Sequence, residues 1–196
     1  MNILNVGYGS TNYYLVGPDR ARLLIDVGWP GTLPKLLNQL KRKNVELREI
    51  KYLLITHYHP DHAGLAQELK DQGIRLIVLD TQVAAIPQLR RYIKPSYPYR
   101  EIALEGNLQV SANASRDVLR RIGLDGEIIS TPGHSEDSVT LILDEGQAFT
   151  GDLTTPGFAT EEARDQVEKS WEMIRARHVK IIYPGHGPVR PLEAIK

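Results

Sequence analysis

The sequence predicts an α/β fold in which two halves of similar plan form stacked sheets with helices outside. The first observation is that short β-branched and leucine-rich runs alternate with segments of helical periodicity over the first ninety residues. The second is that the last third of the chain repeats this rhythm. Because no long linker, low-complexity segment or short repeat divides the chain, we predict one domain over residues 1–196.

In the first half, each predicted strand is a short apolar run bounded by Gly, Pro, Asp or Asn. These strands are Ile3–Val6, Tyr13–Val16, Arg22–Ile25, Tyr52–Thr56 and Arg75–Leu79. Thr32 can cap a helix that has Pro34 in its first turn and leucines along one face. A second helix is predicted from Ala63 to Leu69, before Gly73. Strands and helices that alternate in this way are typical of an α/β protein.

The middle of the chain is less regular, and the last third returns to short strands. Helices are predicted over 81–92 and 113–122, and the Pro- and Tyr-rich stretch 94–99 is predicted to be a loop. A helix over 160–177 precedes the final strand. The predicted strands of this part are Gly126–Ser130, Ser138–Leu143, Ala148–Thr150 and Val179–Tyr183.

Composition limits the kinds of partner and site. A chain of 196 residues with 41% hydrophobic content can enclose a core without disulfides. It has no cysteine, so histidines and carboxylates are the only strong metal ligands available. The chain has 24 basic residues (Lys and Arg) and 24 acidic residues (Asp and Glu). It therefore has no net positive charge that would attract nucleic acid. The sequence contains neither a run that reads as a leader peptide nor an apolar run long enough to span a membrane. We therefore predict a soluble cytoplasmic protein that acts on a small molecule and does not bind a membrane.

One short segment concentrates residues that bind metals. His57, His59, Asp61 and His62 follow an apolar strand directly, and the spacing H-x-H-x-D-H arises by chance in only about three of ten thousand such sequences. Residues two apart in extended chain point the same way, so His57 and His59 can bind one ion. Asp61 and His62 turn toward a second ion as the helix begins. The spacing therefore favours two adjacent metals.

Three later motifs each offer one further ligand. In Pro-Gly-His134, Gly-Asp152 and Pro-Gly-His186-Gly, a predicted strand runs into a glycine-containing turn that presents a single polar side chain. Together with the first motif they supply five histidines and two carboxylates. Such a set could serve two ions, with nitrogen and oxygen ligands only.

In this order, and with Asp26-Val27-Gly28 at the end of an early strand, the motifs are similar to those of the metallo-β-lactamase superfamily over residues 24–188. The resemblance implies a four-layer αβ/βα sandwich. It also implies a binuclear site of two divalent metal ions, with zinc expected and iron or manganese as alternatives. Asp26 would hold a ligand imidazole through its other N–H.

The resemblance also implies which residue holds which ion. The first ion would be held by three histidines, His57, His59 and His134. The second would be held by Asp61, His62 and His186. Asp152 would bridge both ions, as the corresponding aspartate does in the family.

The chemistry that follows is hydrolysis by a metal-bridging hydroxide, because water between two divalent ions is acidified toward neutrality. The expected substrate is a small ester, thioester or lactone, and no side-chain nucleophile is needed. The leaving group could take its proton from water or from Asp61. Asp61 and Asp26 are therefore the candidate catalytic residues beside the metal ligands.

Several subfamilies share parts of this pattern, and the subfamily stays open. Glyoxalase II-like thioesterases have the same ligand set, but their glutathione contacts come largely from a C-terminal helical extension. True β-lactamases lack the Asp-His ending of the first motif. Nucleases of the superfamily are longer and more basic, and the lactonases carry longer segments. An alternative from a different class of enzyme is an oxidoreductase like the persulfide dioxygenases. Such an enzyme holds one iron ion, and nitrogen and oxygen ligands suit iron as well as zinc.

Several residues near these motifs could line the substrate cleft or could serve only in packing. Trp29, Tyr58 and the tyrosines at 92, 97 and 99 could line a substrate cleft, although ordinary packing is the favoured interpretation. His178, at a helix-to-strand junction, is predicted to be structural. After His134, Glu136 and Asp137 replace residues usual in the family and would disfavour an anionic substrate if they faced the cleft.

Overall fold

The structure, a computed structural model, describes residues 2–195 and contains two mixed sheets. The first sheet has six strands in the order of the chain. They are β1 (Leu4–Asn5), β2 (Tyr14–Val16), β3 (Arg22–Ile25), β4 (Ile50–Leu54), β5 (Arg75–Leu79) and β6 (Leu108–Val110). Strands β1 to β3 are antiparallel, whereas β3 to β6 run parallel. The parallel strands therefore direct their carboxyl ends to one edge.

The second sheet has five strands, which also lie side by side in the order of the chain. They are β7 (Gly126–Ser130), β8 (Val139–Leu143), β9 (Gln147–Gly151), β10 (Ile181–Pro184) and β11 (Arg190–Pro191). Strand β9 is antiparallel to β8 and parallel to β10. Because β9 and β10 share a direction, the residues that follow them emerge side by side.

The α-helices lie outside the two sheets or at their border. They are α1 (Leu33–Arg42), α2 (Pro60–Ala63), α3 (Ala66–Asp71), α4 (Ser115–Arg121) and α5 (Arg164–Arg175). Leu36 of α1 packs with the outer face of the first sheet, and Trp171 of α5 packs with the outer face of the second. Leu119 of α4 joins the core between the sheets. None of the helices within residues 2–195 is long and apolar enough to cross a membrane.

The alternation of side chains along the strands produces these layers. In β5, Leu76 and Val78 face the helices, whereas Ile77 and Leu79 belong to the core between the sheets. In β8, Leu141 faces the first sheet and Ile142 faces α5. Successive side chains of a strand point to opposite faces, so a sheet covered on both sides buries nearly every residue. The predicted four-layer αβ/βα sandwich is confirmed.

The structure corrects the predicted elements in several places. The helix predicted over 81–92 is wrong, because the segment forms two 3-10 turns, Asp80–Gln82 and Ile86–Tyr92. Pro87 has no N–H to donate and disfavours helical geometry at the residue before it. The predicted helix over 63–69 is interrupted between α2 and α3, at Gly64. Thr32 is the N-cap residue of α1, as predicted, but its side chain forms no capping hydrogen bond, and its hydroxyl donates to the carbonyl oxygen of Trp29 at 2.6 Å.

Candidate metal centre

The seven predicted metal ligands follow the carboxyl ends of strands from both sheets. His57 to His62 come after β4, and His134 follows β7. Asp152 comes directly after β9, and His186 comes two residues after β10. A backbone hydrogen bond of 2.8 Å from the Val139 amide to the Thr56 carbonyl oxygen joins the sheets beside this edge. The fold therefore gathers all seven side chains at one place.

The first group consists of three imidazoles. The Nδ1 atom of His59 lies 3.1 Å from Nε2 of His57 and 3.0 Å from Nε2 of His134. His57 is buried, whereas His134 is exposed at the mouth of the site. Three ring nitrogens that face a common point form the kind of arrangement that holds a transition metal.

The second group combines a carboxylate with two imidazoles. The Oδ2 atom of Asp61 lies 3.2 Å from Nε2 of His186 and 3.5 Å from Nε2 of His62. His62 is completely buried, and His186 is exposed. The group therefore reaches from the interior to the surface, as a site that must receive both metal and substrate requires.

Asp152 lies between the two groups. Its Oδ2 atom is 3.3 Å from Nε2 of His62 and 3.4 Å from Nε2 of His186, both of the second group. The same oxygen is 3.8 Å from Nε2 of His134 and 3.9 Å from Nε2 of His57, both of the first group. One carboxylate oxygen is thus shared by imidazoles of both groups.

The donor set fits divalent metal ions. A tetrahedron with metal–nitrogen bonds of 2.0–2.1 Å has edges of about 3.3 Å, close to the 3.0–3.5 Å separations inside the two groups. Nε2 of His62 and Oδ1 of Asp152 are buried and accept or donate no hydrogen bond within the described chain. Burying such polar atoms without a partner is costly, and a metal at the centre of each group would supply one.

Asp26 orients histidines of both groups. Its Oδ2 atom accepts hydrogen bonds from His62 Nδ1 at 2.9 Å and from the Thr56 hydroxyl at 2.7 Å. Its Oδ1 atom accepts the Thr56 backbone N–H at 2.7 Å. The Thr56 hydroxyl lies 3.2 Å from Nδ1 of His57. Because a carboxylate can only accept, Nδ1 of His62 must carry the proton, which leaves Nε2 free to bind a metal.

The charges around the site set the protonation of its buried imidazoles. Burial lowers the pKa of His57 well below its usual value, and the neighbouring imidazoles lower it further. Burial also opposes charge on His62, but the carboxylates of Asp26 and Asp152 outweigh it and raise its pKa to about 10. Burial would raise the pKa of Asp152, yet the nearby His62, whose Nε2 lies 3.3 Å from its Oδ2, lowers it. Without metal, His62 therefore carries the positive charge.

The loop before β2 supports the second group, and sequence reasoning missed it. The Thr11 hydroxyl donates to Oδ2 of Asp61 at 3.1 Å, and Nδ1 of His186 donates to the Ser10 carbonyl oxygen at 2.7 Å. The Tyr13 hydroxyl donates to the Asp61 carbonyl oxygen at 3.2 Å. Small polar residues before a strand carry no local signal for such a role, because their partners lie 48 to 176 positions away along the chain.

The five aromatic candidates lie in different places, with Tyr58 and Tyr99 in or against the core and Tyr92 beside a proposed ligand. Tyr58 is buried in the core under the first sheet and takes no part in a substrate wall. The Tyr92 ring lies 5.2 Å from the ring of His59. Trp29 and Tyr97 pack on each other with ring centres 6.0 Å apart, whereas Tyr99 packs against the core. The loop 94–99 is irregular, as predicted, and Tyr97 lines a pocket that also contains Ser10 and Thr11.

The remaining charged candidates are directed elsewhere. The Asp137 carboxylate accepts the Tyr58 backbone N–H at 2.7 Å. Glu136 accepts hydrogen bonds from the Gln166 amide on α5. His178 has a left-handed backbone (φ 56°) and belongs to none of the ligand groups found within residues 2–195. The acidic pair therefore does not face the metal centre.

This fold and this cluster of histidines and aspartates define an αβ/βα protein with side chains suited to hold metal ions. A family model described as the metallo-beta-lactamase superfamily matches residues 6–186. The chain belongs to that superfamily, as the motifs in the sequence predict.

Curated relatives and solved structures agree with this family. The chain is 30% identical to the "Beta-lactamase-like protein 2 homolog" of Caenorhabditis elegans, over 91% of this chain and 56% of that protein. It is 29% identical to the "Lactamase-like protein aptB" of Emericella nidulans, over 91% of this chain and 52% of that protein. The chain thus spans about half the length of the curated relatives that it matches.

The fold alone is shared with more distant proteins of known structure. One is the metallo-beta-lactamase MIM-1 from Novosphingobium pentaromativorans, with 18% identity, a TM-score of 0.72, and coverage of 94% of this chain and 73% of that chain. Another is a metallo-beta-lactamase family protein from Thermus thermophilus, with 18% identity, a TM-score of 0.72, and coverage of 97% of this chain and 74% of that chain.

Proposed function

We propose that this protein is a binuclear metal-dependent hydrolase that acts on a small ester, thioester or lactone. The observation that carries the proposal is the position of Asp152, whose Oδ2 atom lies 3.3–3.9 Å from an imidazole nitrogen of four histidines in the two groups. A carboxylate at this position is suited to bridge two ions. His57, His59 and His134 would hold one ion, and Asp61, His62 and His186 the other.

The chain's own residues would hold these ions, orient the ligands and help to supply a proton. When bound, two divalent ions supply an acidified water as the nucleophile and polarise the carbonyl under attack. Asp26 keeps Nε2 of His62 free for this purpose. The leaving group would take its proton from water or from Asp61, whose carboxyl is partly exposed and lies beside His186. Five imidazoles and two carboxylates suit zinc best, and iron or manganese also accept such ligands.

The second group favours this function over the one-iron dioxygenase alternative. A site with one ion in the first group would leave Nε2 of His62 buried with no partner beyond the nearby carboxylates. It would also leave Asp61, His186 and their supporting loop without a bound ion, although three hydrogen bonds with Ser10, Thr11 and Tyr13 hold them in place. Ligands that are held ready in this way support two metals.

The test combines metal content with turnover. We expect protein purified without added metal to contain about two ions of zinc, manganese or iron per chain by mass spectrometry. We expect it to hydrolyse at least one member of a panel of a thioester, a lactone and a phosphodiester. The best substrate would name the subclass, and a preference for the phosphodiester would favour a nuclease instead.

Two variants make the test specific. His59→Ala removes the nitrogen that faces both His57 and His134, so hydrolysis should fall to background. His178→Asn is the matched control, because His178 is exposed and outside the ligand groups, and asparagine tolerates its left-handed backbone. One iron per chain, with oxygen uptake on a persulfide and no hydrolysis, would refute the proposal in favour of the dioxygenase.

A further inference from the structure

A cavity of about 330 Å³ opens beside the metal centre. Three of the proposed ligands form one of its walls: His134, Asp152 and His186. Its other walls include Arg190 and Phe158, which sequence reasoning did not single out. A small molecule in this cavity would touch the reacting centre and these two side chains at once, so the cavity is a candidate subsite for the substrate.

Arg190 differs from the other arginines that have a buried nitrogen. Its Nε is buried without a hydrogen bond, and no carboxylate within residues 2–195 forms an ion pair with it. Arg22 and Arg177 also contain a buried nitrogen, but Arg22 pairs with Asp19 and Arg177 with Glu127. The Arg190 side chain is partly buried, so its charge has lost part of its hydration, and within residues 2–195 no counterion offsets that loss. An anion in the cavity would lie beside this guanidinium and supply the counterion that it lacks.

The backbone fixes Arg190 beside the second group of ligands. Strand β10 ends at Pro184, the chain presents His186 in the turn, and β11 returns antiparallel with Arg190 opposite Ile182. His186 and Arg190 are therefore on the same hairpin. A side chain on a paired strand is held more firmly than one on a free loop, so the distance between the cation and the metal centre is defined by the sheet.

The charge of the cavity indicates which anion it would take. Arg190 is the one Lys or Arg among the lining residues, and Asp152 is the one acid, which the proposed metals engage. Glu136 and Asp137 are bonded elsewhere. A single guanidinium matches a carboxylate, which it can bind through two parallel N–H donors, whereas a phosphate dianion would call for further positive charge. Phe158 is 85% exposed and supplies an apolar wall.

We propose that Arg190 binds a carboxylate of the substrate, so that the preferred substrate is an ester, thioester or lactone that carries a carboxylate on an apolar group. The inference rests on the proposed hydrolase function and adds a substrate class to it. Arg190 is in this view a specificity residue rather than a catalytic one, because it contacts a part of the substrate away from the scissile bond.

The kinetic test compares two esters that differ in charge alone, 4-acetoxybenzoate and 4-acetoxybenzamide. Arg190→Met should reduce the ratio of kcat/KM between the charged and the neutral ester by about 10- to 100-fold, mostly through KM, because a charge-assisted hydrogen bond has this magnitude. Arg190→Lys should retain part of the preference, since it keeps the charge but loses the two-donor geometry. Arg121→Met, at the exposed end of α4, should leave the ratio unchanged.

A binding measurement keeps the two proposals distinguishable. Calorimetric titration of the metal-loaded protein with 4-hydroxybenzoate and 4-hydroxybenzamide should show tighter binding of the carboxylate, and Arg190→Met should remove most of the difference. If neither ester is hydrolysed but this pattern holds, the hydrolase proposal fails for these esters and Arg190 keeps its role.

Three outcomes would overturn the role of Arg190. The wild-type protein could bind the two compounds equally. Arg190→Met, with an unchanged melting temperature, could bind the carboxylate as tightly as the wild type does, which would mean that the metals alone hold it. Phenyl phosphate could bind more tightly than benzoate with the same dependence on Arg190, which would assign the cavity to phosphate instead.

Discussion

Replacement of Asp26 by asparagine should disturb the orientation of the metal ligands without removing any of them. In the wild type, Asp26 accepts the Thr56 backbone N–H, the Thr56 hydroxyl and Nδ1 of His62 at 2.7–2.9 Å. Asparagine has nearly the same shape but only one oxygen. The backbone N–H of Thr56 cannot turn away, so it will keep that oxygen, and the new amide NH₂ will point at His62.

A donor at this place changes the tautomer of His62. Nδ1 must then accept, so the proton moves to Nε2, the nitrogen that faces Asp61 and Asp152 at 3.5 and 3.3 Å. A metal on Nε2 requires a proton on Nδ1, which Asp26 accepts in the wild type but which would face the amide NH₂, another donor, in the variant. Loss of a partner behind a ligand lowers metal affinity by about 10- to 100-fold, which corresponds to about 1.4–2.7 kcal/mol.

The assay is competition for zinc against a chromophoric chelator, with circular dichroism to check that the variant is folded. The matched control is Asp137→Asn, because Asp137 also accepts a backbone N–H at 2.7 Å but touches no histidine. The control should bind both ions with wild-type affinity. If folded Asp26→Asn does the same, the tautomer argument is refuted.

Two further predictions concern protonation and packing at the same site. The pKa of His62 is raised to about 10 and that of His57 is lowered, so metal uptake at pH 7 should release about one proton, and metal affinity should rise with pH toward 10. Calorimetry in buffers of different ionisation enthalpy measures the number of protons released. A release of zero protons would contradict the prediction. Gly151→Ala should destabilise the fold by at least about 2 kcal/mol in urea titration, since φ is 53° and a Cβ would collide with the Thr56 side chain. Unchanged stability would show that Thr56 can move aside.

The sequence predicted the layers and the clustering of the histidines and aspartates because both depend on short-range patterns. The alternation along β5 and the spacing of His57, His59, Asp61 and His62 are readable within a few residues. Strands β6 and β11 were not readable, because Leu-Gln-Val and Arg-Pro lack a β-branched run and exist only through pairing with their neighbours. The turn after α2 was missed for a similar reason, since Gly64 is required by the approach of Pro30, which is far away in sequence.

The parts of the site that escaped prediction are those that depend on distant partners. Thr11 meets Asp61 across 50 positions, and Ser10 meets His186 across 176. Arg190 carries no motif, and its exposure to the cavity follows from the hairpin that returns beside β10. Local patterns therefore identify which residues are candidates to bind metal, whereas tertiary contacts decide how they are held and what lies beside them.

The division of the ligands between two sheets also has a consequence for folding. His57 to His62 belong to the first sheet, while His134, Asp152 and His186 come from the second, and His59 meets His134 only after a chain separation of 75 positions has been closed into a loop. Contacts of such long range form late. If the proposed ions bind, metal capture would be one of the last events in folding, because the site exists only in the finished structure. The ions would then slow unfolding and make the protein's lifetime depend on the supply of metal.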